Sequence, residues 1–160
     1  MAQDLDEIDR TILRLLQENA RTANAEIGRT VGLSGQSVQE RIRKLEMAGI
    51  VRGYEANLNP AALGLEVTAF IEITIPTGRN YDEEYRGISA FTAREPEVLE
   101  QHGVAGDIDM ILKVRCVDIP HLNALMNRLH GATRSHTKTI IVLGTRKETQ
   151  RSPLPGGDIG

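Results

Sequence analysis

From Leu5 to Glu18 the apolar residues Leu5, Ile8, Ile12, Leu15 and Leu16 recur at helical spacing, and acidic residues crowd the first turn, where a helix dipole favours negative charge. One amphipathic helix is predicted. Residues 19–24 (NARTAN) break the pattern with potential N-cap side chains, and a short helix is expected over Ala25–Val31, stopped by Gly32. Leu33 then supplies an apolar anchor. Ser34 is placed to cap a third helix running to about Ala48, where Gly49 ends it.

Within that third helix Val38, Ile42 and Leu45 fall at i, i+4 and i+7, so they form one buried stripe and determine which residues face away. Gln36, Glu40 and Arg43 lie within about 40° of the direction opposite the stripe, and Ser37, Gln39 and Lys44 flank it. Long polar side chains near the start of a helix that follows a tight turn suit the major groove, whose base edges offer hydrogen-bond patterns. Gln36 and Gln39 match adenine edges, and Arg43 matches guanine or a phosphate. Arg41, about 60° from the stripe, is expected at a phosphate. The same residues also fit a three-helix bundle with a merely solvated face.

Beyond Ala48 the periodicity changes. Ile50–Asn57 reads as an extended arm, and Asn59-Pro60 as the break before a second module. Residues 66–75 alternate and are rich in Val, Ile, Thr and Phe, which predicts a strand closed by Pro76-Thr77-Gly78. A helix is expected over Tyr81–Ala93, followed by strands over Glu97–Val104 and Met110–Val117. Ile119, Leu122, Leu125, Met126 and Leu129 share helical spacing, and Thr137–Thr145 is the last expected strand. The order β-α-β-β-α-β is the ferredoxin-like arrangement, an antiparallel sheet with helices on one face. Its other face needs a partner.

Composition narrows the possibilities. Among 160 residues only five are aromatic and none is tryptophan, so the core is aliphatic and a stacking platform for single strands is disfavoured. The net charge of −3 argues against coating nucleic acid through global charge, yet residues 21–52 carry six basic and three acidic side chains, a local +3. Cys116 is the lone cysteine, which excludes an intrachain disulfide and makes a reducing cytoplasm the expected compartment. The acidic start and the absence of an apolar run of ~20 residues predict neither a secretion signal nor a membrane span.

With these elements in place, the chain resembles the Lrp/AsnC (leucine-responsive, feast/famine) family of bacterial and archaeal transcriptional regulators. The resemblance rests on LDEIDRTIL at Leu5–Leu13, Gly32-Leu33-Ser34, RIRKLEMAGI at Arg41–Ile50 and RGYEA at Arg52–Ala56. Asn59-Pro60, Leu63-Gly64, Val98-Leu99-Glu100, Gly106–Asp109 and Ile141–Leu143 continue it in order, nearly to Lys147. Gly28 stands where relatives usually have alanine, Gly35 where proline is frequent, and Ala105 where a hydroxyl residue is common. The resemblance implies an α+β chain: a winged-type helix-turn-helix over residues 1–52, a linker arm over 53–62, and a ferredoxin-like (ACT-like, RAM) effector-binding and oligomerisation domain over 63–147. Residues 148–160, with two prolines and three glycines, are expected to be a mobile tail.

It also implies a regulator that binds double-stranded DNA at pseudo-palindromic operators as a homodimer or a larger ring such as a tetramer or octamer, and works on the nucleoid. The DNA-contacting set is then Ser34, Gln36, Ser37, Gln39, Glu40, Arg41, Arg43 and Lys44. A dimer has independent support, because one helix-turn-helix reads only a short half-site. No cofactor or metal is implied beyond an amino-acid effector, placed near Ala105, Gly106, Asp107 and Asp109. Glycine there allows a tight path with exposed N–H groups for a carboxylate, and an aspartate accepts from an α-ammonium, although glycine and aspartate between strands also make an ordinary turn. His102, Thr137 and Thr139 line the same region if the strands pair suitably.

Two rivals come from other classes. An enzyme would need a base beside Cys116, a paired histidine spacing among His102, His121, His130 and His136, or a phosphate loop, and the sequence shows none of these patterns. A sensor or interaction module that does not bind DNA would keep its front helices only for packing.

Overall fold

The computed structural model describes residues 5–78 and 80–154; residues 1–4, Arg79 and 155–160 lie outside the described set. The chain divides into two compact units, one of residues 1–57 with 148–160 and one of residues 58–147.

The first unit holds helices α1 (Glu7–Glu18), α2 (Asn24–Val31) and α3 (Gly35–Met47). Asp6 starts α1 through a capping box: its carboxylate accepts the Asp9 N–H at 2.7 Å, and its own N–H donates to the Asp9 carboxylate at 3.4 Å. The expected side-chain cap on α2 is absent. Ala23 holds that position, Asn24 is already helical, and Asn19 spends its side chain on the Arg21 N–H, ordering the loop instead. Gly32 ends α2 with φ of 72°, a left-handed conformation that glycine adopts without strain. The Ser34 hydroxyl accepts from the Ser37 N–H at 3.1 Å and opens α3 as expected.

A β-carbon on Gly28 would lie 2.4 Å from the Leu33 carbonyl oxygen, so the missing side chain lets α2 and the turn approach closely. The unit's core is Ile12, Leu13, Ile27, Val38, Ile42 and Leu45, each of which contributes about 1.5–3 kcal/mol by leaving water. Ile50 and Val51 fold back so that their N–H groups reach the Leu45 carbonyl. Beyond them the arm is extended, with the Tyr54 hydroxyl donating to Glu46 at 2.9 Å. No strand occurs among the described residues before Val67, so strandless chain occupies the place of a wing.

In the second unit the Asn59 side-chain oxygen accepts the Ala61 N–H at 3.1 Å, and Pro60 holds the cap position of a 3-10 turn at Ala61–Leu63. The remaining elements are β1 (Val67–Thr74), α4 (Tyr81–Thr92), β2 (Val98–Gly103), β3 (Met110–Cys116), α5 (Ile119–Ala132) and β4 (His136–Ile141). The sheet order is β2-β3-β1-β4, antiparallel throughout, as the ferredoxin-like pattern requires. Period-2 alternation sends Ala69, Ile71 and Ile73 with Met110, Leu112, Val114 and Cys116 to one face. Ile88 of α4 and Leu122, Leu125, Met126 and Leu129 of α5 cover it. Strand β4 stops at Ile141, short of the expected Thr145; Val142 makes a last backbone bond to Thr68, and Leu143 is fully exposed.

A charge contact ties α3 to α1. One Arg41 terminal nitrogen lies 2.7 Å from Asp6 and 2.8 Å from Asp9. The Asp9 N–H, and after it the Arg41 guanidinium, hold the Asp6 carboxyl below its ordinary value. A carboxylate lowered by folding adds stability above its unfolded pKa, and that stability is lost as pH falls through the folded value. Asp6→Asn keeps the cap and removes the charge. It is expected to lower Tm by a few degrees at pH 7, with the two melting curves converging below about pH 4. A constant offset across that range would refute the contribution.

Candidate functional site

In α3 the aliphatic stripe is buried, and this alone turns the opposite face outward. Gln36, Ser37, Gln39, Glu40, Arg43 and Lys44 are all exposed, as is the capping Ser34. Their availability differs. The Ser34 and Ser37 hydroxyls lie 2.9 Å apart within the cap, and Lys44 stands 3.7 Å from Glu40, a loose i,i+4 pair. The side chains of Gln36, Gln39 and Arg43 make no hydrogen bond among the described residues, which leaves three long polar groups free on the first turns and middle of a capped helix. Arg14, Arg21, Arg29 and Arg52 are also exposed on this unit.

Arg41 departs from expectation. Its guanidinium is half-buried and held by Asp6 and Asp9 rather than offered to solvent, so within the chain it secures α3 to α1. Beside it the α1–α3 seam opens into a cleft of about 430 Å³ walled by Leu5, Leu33, Leu45, Asp9 and Arg41. Asp6 and Asp9 are partners that no helical periodicity points to. Their only signal in the sequence was the acidic first turn.

The residues expected around an effector separate into two groups. His102 is exposed on β2, with Nε2 3.1 Å from Glu100, and Glu100 also reaches Lys113 at 3.2 Å. The His102 contact, then Lys113, hold the Glu100 carboxyl below its usual range. Ala105, Gly106 and Asp107 form the exposed tip of the β2–β3 loop, with φ of 150° at Gly106. Asp109 works inside that loop. Its carboxylate accepts the Ile75 N–H at 2.7 Å, its N–H donates to Ile73, and its carbonyl accepts from Val104. One oxygen expected to meet an ammonium group is therefore already used. Tyr81, at the start of α4, is a neighbour the sequence did not suggest: partial burial, then the Asp109 charge, push its hydroxyl up.

Thr137 and Thr139 lie elsewhere. Both are on β4, one edge of the sheet, whereas His102 is on β2, the other edge, with β3 and β1 between them. At about 4.8 Å per strand the two groups are roughly 14 Å apart, so one copy of the chain does not bring them together. Thr137 is half-buried and lies 2.7 Å from His130 Nε2, a local contact across the α5–β4 connection. Thr139 pairs with Ile71 in the register.

Cys116 is buried in β3, and burial pushes its thiol up, away from the reactive thiolate. Among the described residues no group of three or more His, Cys, Asp or Glu side chains is arranged to hold a metal ion, and no helix is long and apolar enough to cross a membrane.

Comparison with known proteins agrees with this architecture. Residues 5–46 match the AsnC-type helix-turn-helix domain and residues 68–152 the Lrp/AsnC ligand binding domain. The chain is 34% identical over 157 residues to the HTH-type transcriptional regulator FL11 of Pyrococcus horikoshii, covering 96% of this chain and 99% of that one. It is 37% identical over 153 residues to the leucine-responsive regulatory protein of Salmonella typhimurium, covering 93% and 91% respectively. Among solved structures, a transcriptional regulator of Neisseria meningitidis in complex with L-methionine superposes with a TM-score of 0.87 at 30% identity, over 95% of this chain and 98% of that one. An AsnC family transcriptional regulator from Agrobacterium tumefaciens gives 0.86 at 31% identity, over 93% and 97%. A capped helix-turn-helix with a free polar face, a ferredoxin-like module behind it and these matches along both place the chain in the Lrp/AsnC family of transcriptional regulators.

Proposed function

We propose that the chain reads operator DNA through Gln36, Gln39 and Arg43 of α3, and that its second unit pairs with another copy and binds a free amino acid. The observation that carries the DNA reading is the exposed polar face of α3, where the side chains of Gln36, Gln39 and Arg43 have no partner among the described residues, on a unit whose aliphatic face is fully used. Gln36 and Gln39 suit adenine edges, Arg43 suits guanine or a phosphate, and Glu40 suits the cytosine amino group. Ser34, Ser37 and Lys44 lie beside them and suit phosphate oxygens. Arg41 acts as a positioning residue, because its charge is spent on α1. Such a regulator works in the cytoplasm on the nucleoid.

Dimer formation is supported by the sheet face that carries no helix. Phe70, Ile111 and Ile140 lie there beside the Glu72–Lys138 and Glu100–Lys113 pairs, an apolar strip with charged borders. Two copies also supply the two half-sites of a pseudo-palindrome. The Neisseria meningitidis relative, with its bound L-methionine, supports an amino-acid ligand, and the exposed Ala105–Asp107 tip supplies N–H groups for a carboxylate. A second copy or a larger ring would be needed for Thr137 or Thr139 to join that site.

Three measurements test this reading. In gel shifts on promoter fragments, Gln36→Ala is expected to relax preference at one base pair at a cost of about 1–3 kcal/mol, whereas equal weakening on every sequence would refute base reading. Phe70→Glu should convert the protein to monomer in sedimentation velocity; persistence of the dimer would rule out this face. A thermal-shift screen of the twenty amino acids should raise Tm for at least one, by an amount that grows with concentration, and a flat response to all twenty would remove the effector reading.

A further inference from the structure

We infer that residues 148–154 are a working part of the DNA-binding unit, a strap docked along α1 that ties the unit to the rear module by a second chain crossing. The expected mobile tail is, as far as Leu154, a placed segment; residues 155–160 lie outside the described set. Two independent contacts hold it. The Gln17 side-chain amide takes both backbone groups of Ser152: its oxygen accepts the Ser152 N–H at 2.6 Å, and its nitrogen donates to the Ser152 carbonyl at 3.2 Å. A primary amide used this way imitates the peptide group of a neighbouring strand. It recognises extended backbone rather than a particular side chain. Two residues on, Leu154 is half-buried against the core that contains Ile12 and Ile42. A polar backbone clamp and an apolar anchor are the usual parts of a peptide-docking surface.

The sequence is shaped for this role. Pro153 disfavours helical geometry at Ser152, and a proline following Leu154 in the sequence does the same there, so residues 152–154 are biased towards extended chain before they dock. Fewer conformations are lost on binding. Docking is also intramolecular, so a contact too weak to hold a free peptide can stay formed.

The consequence lies in connectivity. The chain passes between the two units twice, at residues 57–58 and 147–148. With the strap docked, α3 is carried by a unit tethered at both crossings, and its rotational freedom is smaller than a single arm would allow. Operator binding then starts from a narrower ensemble.

The test compares the intact protein with a chain cut after Lys147 and with the full-length variants Leu154→Asp and Gln17→Ala. Amide hydrogen exchange should speed up by roughly tenfold in the second half of α1, while the amides of β1 and β3 keep their protection and report that the protein is folded. Unchanged exchange in α1 in all three forms would overturn the strap. The affinity arm rests on the DNA-binding reading: operator affinity should fall several-fold with the same order of preference among operators. Faster exchange with unaltered affinity would overturn the role in DNA binding, and loss of all DNA binding by the intact protein would instead count against the regulator reading itself.

Discussion

The DNA-binding unit depends on one packing constraint, the docking of the Val38, Ile42 and Leu45 stripe on Ile12, Leu13 and Ile27. A helix of 13 residues has only one such stripe, and burying it leaves no freedom over what faces outward. Everything proposed for Gln36, Gln39 and Arg43 follows from that orientation. The core is small, so its details matter. Gly28 lets the α2 backbone approach the turn, and the Arg41 contact with Asp6 and Asp9 adds a directional element to packing that is otherwise only aliphatic.

The rear unit obeys a different rule. Four antiparallel strands with two helices on one side bury seven inward side chains from β1 and β3, and leave a face bearing Phe70, Ile111 and Ile140 without a helix over it. A one-residue slip would exchange those two sets, so register is strongly specified. Charged neighbours such as Glu72 with Lys138 keep the uncovered face hydrated at its borders and make a specific partner more suitable than indiscriminate association.

What could be read from the sequence tracks what is local. The α3 stripe, its Ser34 cap and the β-α-β-β-α-β order are short-range patterns, and the folded chain reproduces them. The Arg41 contact with α1 is not a local pattern: its angular position identifies only a border, and its partners lie 32 and 35 residues away on α1. Thr137 and Thr139 fall on the opposite sheet edge from His102, a separation set by the order β2-β3-β1-β4 and by no local pattern. The acceptor chemistry that suits Asp109 to a ligand is also satisfied by the Ile75 N–H. For residues 148–154 composition points both ways, because a proline that suggests looseness also pre-extends a docking segment.

The strap makes the DNA-binding unit discontinuous, and this changes how it can be assembled. Gln17 and Ser152 are 135 residues apart, so during synthesis α1, α2 and α3 emerge long before the piece that completes them. Closing so long a loop carries a modest extra entropy cost, because that cost rises only logarithmically with length. The front helices can therefore form early in a looser version, and the finished unit exists only after the whole rear module has been made.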